Sequence, residues 1–123
     1  MNSQERINML ITSLTGANEY IKIPMVYLKL TEEYPTAMLL NRLVYWSEMN
    51  QDDKNYFPRK IDEWKEETLL SDYQIRRAMN KLKEMNFVET ALKKVNGVPT
   101  THYKVNRLNV LESLTENVMR KGV

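Results

Sequence analysis

The sequence contains no cysteine, one histidine, His102, and three glycines among its 123 residues. Without cysteine the chain can form neither disulfides nor iron–sulfur clusters nor thiolate zinc sites. One histidine excludes a metal site built from several imidazoles and leaves a single candidate base for a histidine-assisted nucleophile. Neither the phosphate-binding nor the dinucleotide-binding glycine pattern occurs. These absences favour a binding function, and we expect no enzyme activity, no cofactor and no metal.

Long apolar runs are missing as well. No stretch approaches the roughly 18 apolar residues that a membrane-spanning helix needs. The amino-terminal sequence MNSQERINML contains an acidic residue and early polar residues, which is not typical of a signal peptide. We therefore expect a cytoplasmic protein without a membrane partner. The chain is 42% apolar and 28% charged, which is ordinary for one globular domain.

Apolar residues at helical spacing predict most of the secondary structure. Ser3 and Ser71 are suited to cap helices, and Gly16 and Asn86 are suited to end them. The predicted helices cover residues 3–15, 35–46, 60–70, 71–85 and 108–119, with a turn or short helix at 25–30. In the helix at 60–70 the packing side is predicted to comprise Ile61, Trp64, Thr68 and Leu69.

Short β-compatible runs complete the pattern. The predicted strands and extended segments cover residues 20–23, 56–57, 87–92 and 100–105. The last two are joined by residues 93–99, which contain Asn96 and Gly97. Asn-Gly is the strongest short-range signal for a β-hairpin. The sequence therefore predicts a hairpin whose connection is residues 93–99.

Two consecutive helices followed by a β-hairpin are the pattern of a winged helix-turn-helix domain. The predicted fold is α+β, mostly helical, with an additional helix at each end of the winged helix-turn-helix. The predicted division is 1–19 for the amino-terminal helix, 20–107 for the winged-helix domain and 108–123 for the carboxy-terminal helix. The terminal helices either cover the domain's own core or form a homodimer seam. Their apolar stripes are Ile7, Leu10, Ile11 and Leu14, and Leu108, Leu111, Leu114 and Val118.

The helix at residues 71–85 has two contrasting faces. Its apolar stripe comprises Ile75, Ala78, Met79, Leu82 and Met85. The opposite face carries Tyr73, Arg77, Asn80 and Glu84, flanked by Gln74, Arg76, Lys81 and Lys83. Arginine reads guanine, asparagine and glutamine read adenine, and lysine contacts phosphate. The face therefore suits a recognition helix in the major groove, although any solvated surface helix carries similar residues.

Charge is distributed unevenly along the chain. Residues 71–107 contain eight basic and three acidic residues, a net charge of +5, whereas the remainder contains ten basic and thirteen acidic residues, a net charge of −3. A basic segment that coincides with the predicted helix and hairpin is the electrostatic pattern of a nucleic-acid partner. Lys93 and Lys94 precede the hairpin tip, where they either contact a flanking phosphate or keep the hairpin edge solvated.

The part of the chain that contains the predicted helix and hairpin resembles the winged-helix DNA-binding domain of replication proteins from phages and mobile elements of Gram-positive bacteria, including DnaD-like replisome organisers. The resemblance extends from Tyr20 to Asn106 and is carried by Tyr20 to Pro24, Leu39 to Trp46, Trp64, Leu70-Ser71, Gln74 to Arg77, Leu82, Met85 to Val88, Asn96-Gly97 and Tyr103 to Val105. It implies DNA binding at an origin or operator. Such proteins usually continue into a second domain that engages the helicase or its loader, so the chain is either a fragment or a stand-alone binder.

The sequence thus predicts a duplex-DNA-binding protein of a phage or mobile element that acts in replication initiation. The predicted DNA-contacting residues are Tyr73, Gln74, Arg76, Arg77, Asn80, Lys81, Lys83, Lys93, Lys94 and Lys104. Two alternatives remain: a winged helix that binds a host replication or defence protein, and a transcriptional regulator. Other polar or aromatic residues are given structural roles: Trp46 and Trp64 as core anchors, Glu66 and Glu67 as solvated helix charges, and His102 as a hydrogen-bonding strand residue.

Overall fold

The computed structural model describes residues 2–16, 20–49 and 54–120. The helices are α1 (Ser3–Thr15), α2 (Met25–Thr31), α3 (Tyr34–Met49), α4 (Ile61–Thr68), α5 (Asp72–Glu84) and α6 (Arg107–Arg120). The strands are β1 (Phe57–Pro58), β2 (Val88–Val95) and β3 (Val98–Val105). The predicted α+β, mostly helical fold is confirmed, and the winged helix-turn-helix remains a prediction. No helix within these ranges is long and apolar enough to span a membrane.

The helix boundaries follow local capping signals. Ser71 caps α5 as predicted: its hydroxyl accepts the Gln74 backbone N–H at 3.1 Å, and the Gln74 side chain accepts the Ser71 N–H at 2.9 Å. Helix α1 is capped by Asn2 and not by Ser3, because the Asn2 side chain accepts the N–H of Glu5. Gly16, with a φ of 72°, ends α1 in the left-handed conformation that glycine adopts readily.

The three strands form one antiparallel sheet in the order β1-β3-β2, with Phe57 of β1 opposite Tyr103 of β3. The hairpin turn consists of Asn96 and Gly97 alone. Both residues have positive φ, as is usual in the two-residue loops of tight β-hairpins. The predicted connection at residues 93–99 is therefore wrong, because the strands extend to this two-residue turn. Residues 20–23 form no strand.

The core lies between α3, α5 and the sheet. Leu39, Leu40 and Leu43 of α3 are fully buried against the predicted apolar stripe of α5. The rings of Phe57, Trp64 and Tyr103 lie within 5.6–6.4 Å of one another and cover the end of this core. Two other assignments to the core and sheet are confirmed: Trp64 is completely buried, and the buried His102 donates its Nδ1–H to the Thr100 carbonyl at 2.9 Å.

Leu69 does not pack with the buried side of α4, contrary to prediction. It follows the last residue of α4 in the left-handed conformation, with a φ of 58°, and its side chain is 87% exposed. The turn between α4 and α5 causes this, because the left-handed residue turns its side chain away from the helix face that Ile61, Trp64 and Thr68 occupy. A leucine in this conformation carries backbone strain that a glycine would not.

Glu67 is not a solvated helix charge, contrary to prediction. Its side chain is only 15% exposed and accepts hydrogen bonds from Arg42, Arg59 and the Trp46 indole, at 2.9–3.2 Å. The Arg59 guanidinium lies over the rings of Trp46 and Trp64, 4.2 and 4.9 Å from their centres. We call this group of residues the Glu67 cluster. It joins α3, α4 and the segment after β1.

The terminal helices contribute unequally to the core. No described residue of α1 is buried, which does not support the first of the two alternatives, that α1 covers the core. Among the described side chains of α6 the buried one is Val110, which the predicted stripe omitted, and Leu114 packs against the core. Leu108 is 75% exposed, and the Val118 side chain lies outside the described residues. The homodimer seam remains a prediction.

Replacing Glu67 tests the importance of the Glu67 cluster. We expect Glu67→Gln to lower the free energy of unfolding by about 2–4 kcal/mol, because Arg42 and Arg59 would lose their common counter-charge in a partly dry site. Urea denaturation monitored by circular dichroism measures the change. Glu66→Gln, which removes the same charge from an exposed neighbour, is the control and should change stability by less than about 0.5 kcal/mol. Equal effects of the two substitutions would contradict the assignment.

Candidate nucleic-acid interface

Helix α5 is fixed by its buried stripe and exposes the rest of its surface. Ile75, Ala78, Met79 and Leu82 are buried, as predicted, and Met85 is half-buried. The exposed residues of the helix include Tyr73, Gln74, Arg76, Arg77, Asn80, Lys83 and Glu84, whereas Lys81 is half-buried. These side chains divide between two sides of α5, one facing the hairpin and the other facing the turn between α2 and α3.

A groove of about 670 Å³ separates α5 from the hairpin. Arg76, Asn80 and Lys83 line it from α5, and Arg59 and Lys60 line it from the segment before α4. The hairpin contributes Thr90, Val98, Pro99, Thr100, Thr101 and Tyr103. None of the described residues that line the groove is acidic. The hydroxyl, amide and cationic groups along it are suited to an anionic, hydrogen-bonding ligand.

The other side of α5 carries a negative charge that the sequence prediction did not include. The Glu33 carboxylate, in the turn between α2 and α3, lies 3.2 Å from the Arg77 guanidinium and 3.3 Å from Lys81 Nζ. Lys81 Nζ also donates to the backbone carbonyl of Thr31, the last residue of α2. Lys81 therefore stabilises the carboxyl end of α2, where a cation is favourable. Among the predicted contact residues, Lys81 therefore has a clear structural role, because its ammonium group is bonded to both Thr31 and Glu33.

Gln74 also has a structural role. Its side-chain oxygen accepts the Ser71 N–H that begins α5, so this oxygen is occupied in the capping box. Tyr73 is 71% exposed near the same end of the helix. Asn80 lines both sides of α5. Arg76 and Asn80, whose side chains are suited to read bases, thus lie between the hairpin side and the Glu33 side of α5.

The hairpin lysines lie on opposite faces of the sheet. Lys94 pairs in register with Pro99 and has the same strand parity as Thr90, which lines the groove. Lys93 has the opposite parity, and its Nζ lies 4.3 Å from the centre of the Tyr56 ring. Lys104 Nζ is 6.0 Å from that ring, and Lys104 pairs in register with Glu89. The structure therefore brings Lys94 to the α5 side and places Lys93 and Lys104 on the other face.

Three residues of this surface were missed from the sequence: Glu33, Arg59 and Lys60. The Arg59-Lys60 dipeptide follows Pro58 directly, and its proximity to the hairpin arises because Arg59 donates its backbone N–H to the Thr101 carbonyl at 3.1 Å. Glu33 lies more than forty residues before its partners on α5. Local periodicity carries no signal for contacts at this separation.

Salt bridges lower the pKa of two carboxyl groups at the edges of α5. Hydrogen bonding to Lys81 is the main cause for Glu33, whose pKa falls below the ordinary value of 4.5, and the charges of Arg77 and Lys81 and the Thr36 hydroxyl act in the same direction. Hydrogen bonding to Lys65, 2.7 Å away, is the main cause of the lowered pKa of Asp72. Both carboxylates therefore remain ionised at neutral pH.

Comparison of the chain with protein-family models, curated proteins and solved structures finds no match. The geometry and the charges of this surface are therefore the observations that bear on its function.

The pKa of Glu33 predicts the sign of a pH effect. Because the pKa of Glu33 is lower in the folded state, its ionised carboxylate stabilises the fold. This stabilisation is complete at pH values above the unfolded-state pKa, near 4.5, and is lost as the pH falls through the folded-state pKa. The difference in unfolding free energy between the wild type and Glu33→Gln should be constant above about pH 5.5 and should shrink below pH 4.5. Urea titrations at several pH values measure it. A difference that grows on acidification would contradict the pairing.

Proposed function

We propose that this protein is a winged-helix protein that binds duplex DNA, with α5 as the recognition helix and the β2–β3 hairpin as the wing. The observation that carries the proposal is the groove between α5 and the hairpin, where Lys60, Arg76 and Lys83 supply positive charge. The charge of Arg59, which also lines the groove, is already paired with Glu67. The exposed side of a helix with a 13-residue span is suited to the major groove, which admits one α-helix.

The positions of the side chains suggest a division of roles. Arg76 and Asn80 lie near the middle of the exposed side, where a recognition helix contacts base edges, and their chemistry suits guanine and adenine. Lys83 lines the groove, and Lys94 has the same strand parity as Thr90, which also lines it; both lysines suit phosphates. Arg77 is 62% exposed at its side chain and is shared between this surface and Glu33.

For the biological role, we propose replication initiation in a phage or mobile element. This step is supported by the resemblance of residues 20–106 to the winged-helix domains of such replication proteins. A transcriptional regulator would use the same surface on an operator. Mapping the bound sites on the DNA of the source element would distinguish the two, because an initiator would bind at the replication origin and a regulator at promoters.

The opposite orientations of Lys93 and Lys94 give a matched test of the DNA-binding surface. We expect Lys94→Ala to weaken binding to all duplexes and to reduce the slope of log K against log salt by about 0.9, the value for one phosphate contact. Lys93→Ala, which removes the same charge one residue away, should have a clearly smaller effect, because its side chain lies by Tyr56 on the other face. Fluorescence anisotropy on labelled duplex measures both.

Arg76→Ala complements this test. It should reduce the difference in affinity between selected and random duplexes. The binding free energy that discriminates bases at one position should fall by about 1–3 kcal/mol. If neither Lys94→Ala nor Arg76→Ala changes binding, the assignment of α5 and the hairpin as the DNA surface is wrong.

A second candidate is binding to a host replication or defence protein. The observation in its favour is the presence of Glu33 and Glu84 beside the basic residues of α5, since a mixed-charge surface suits a protein partner. Retention on random duplex DNA at low salt separates the candidates. A folded protein that fails to bind DNA there, and that captures a specific host protein through α5, would favour the second candidate.

A further inference from the structure

Glu33 has a further role on this surface, which rests on the proposed DNA-binding function. Glu33 lies on the α5 surface, with its side chain 27% exposed and its carboxylate within 3.3 Å of both Arg77 and Lys81. A carboxylate in this position offers Arg77 the kind of partner that a DNA phosphate would offer. It also repels any phosphate that approaches the same guanidinium.

The surrounding structure holds Glu33 in place. Its backbone carbonyl accepts the Ala37 N–H in the first turn of α3, and its second carboxylate oxygen accepts the Thr36 hydroxyl at 3.4 Å. The carboxylate lies at the amino end of α3, where a negative charge is favourable. Lys81 is tied at the same time to the Thr31 carbonyl. Arg77, with a side chain 62% exposed, is the partner that can leave most readily.

We propose that Glu33 competes with DNA phosphate for Arg77 and thereby lowers the affinity of the protein for duplex DNA, including duplexes of arbitrary sequence. A phosphate contact alone must displace Glu33 and overcome its repulsion. A cognate site adds base contacts to Arg76 and Asn80, which lie on the part of α5 nearer the groove. The competition therefore lowers the affinity for cognate and random duplexes alike, and only the cognate site, with its base contacts, keeps enough affinity to be occupied.

The test compares Glu33→Gln with Glu32→Gln on a random-sequence duplex by fluorescence anisotropy. Both variants remove one negative charge, but exposed Glu32 is not among the residues that contact Arg77 or Lys81. We expect Glu33→Gln to bind roughly three- to tenfold more tightly than the wild type at low salt, with a salt slope steeper by about 0.9. Glu32→Gln should show less than half of this gain, because its charge acts only at a distance.

A double variant isolates Arg77. Adding Arg77→Ala to Glu33→Gln should remove the gain in affinity, and thermal melting checks that each variant is folded. If the wild type binds duplex DNA but Glu33→Gln binds no more tightly than Glu32→Gln, the competition is absent and the proposed function stands. If the folded wild type and Glu33→Gln both fail to bind duplex at low salt, both the competition and the proposed function are wrong.

Discussion

The position of the candidate surface depends on the Glu67 carboxylate. Glu67 accepts hydrogen bonds from Arg42 and Trp46 of α3 and from Arg59 after β1, and Arg59 lies over Trp46 and Trp64. Charge-assisted hydrogen bonds and cation–π contacts of this kind have a defined geometry. Because α4 leads into α5 through a short turn, fixing α4 on α3 also fixes the direction in which α5 faces solvent. An internal ion cluster thus sets the orientation of a surface to which it contributes few exposed charges.

The sequence predicts the elements of this protein well where the signal is local. The Ser71 cap, the buried stripe of α5, the left-handed Asn86 and the Asn96-Gly97 turn all depend on residues within a few positions of one another. The errors have a common physical origin. Leu69 was wrongly assigned to the packed side of α4, because a single left-handed residue turns its side chain away from that side. Lys93 was wrongly assigned to the connection, because β2 ends three residues later than the predicted strand. Glu33 and Glu67 were missed or misassigned because their partners are distant in sequence.

The charge of residues 71–107 acquires a spatial meaning in the structure. The net charge of +5 does not form one uniform patch. Arg76 and Lys83 line the groove, and Lys94 has the strand parity of the groove residue Thr90. Lys93 and Lys104 lie by Tyr56, and Lys81 donates to the carboxyl end of α2. A uniformly basic surface binds any polyanion, whereas a surface interrupted by carboxylates requires closer complementarity from its partner. Moderate overall charge is therefore compatible with selective recognition of a strongly charged ligand.

The two-residue hairpin turn has a consequence for the order in which the fold assembles. Strands β2 and β3 close through Asn96 and Gly97 alone, and a hairpin of this type forms in roughly 1–10 μs. Strand β1 must instead bring Phe57 to Tyr103 across the whole of α4, α5 and β2, which requires a much larger loop closure. We expect the folding nucleus to contain the hairpin with α5 docked on it. We expect β1 to pair with β3 only after the transition state of folding.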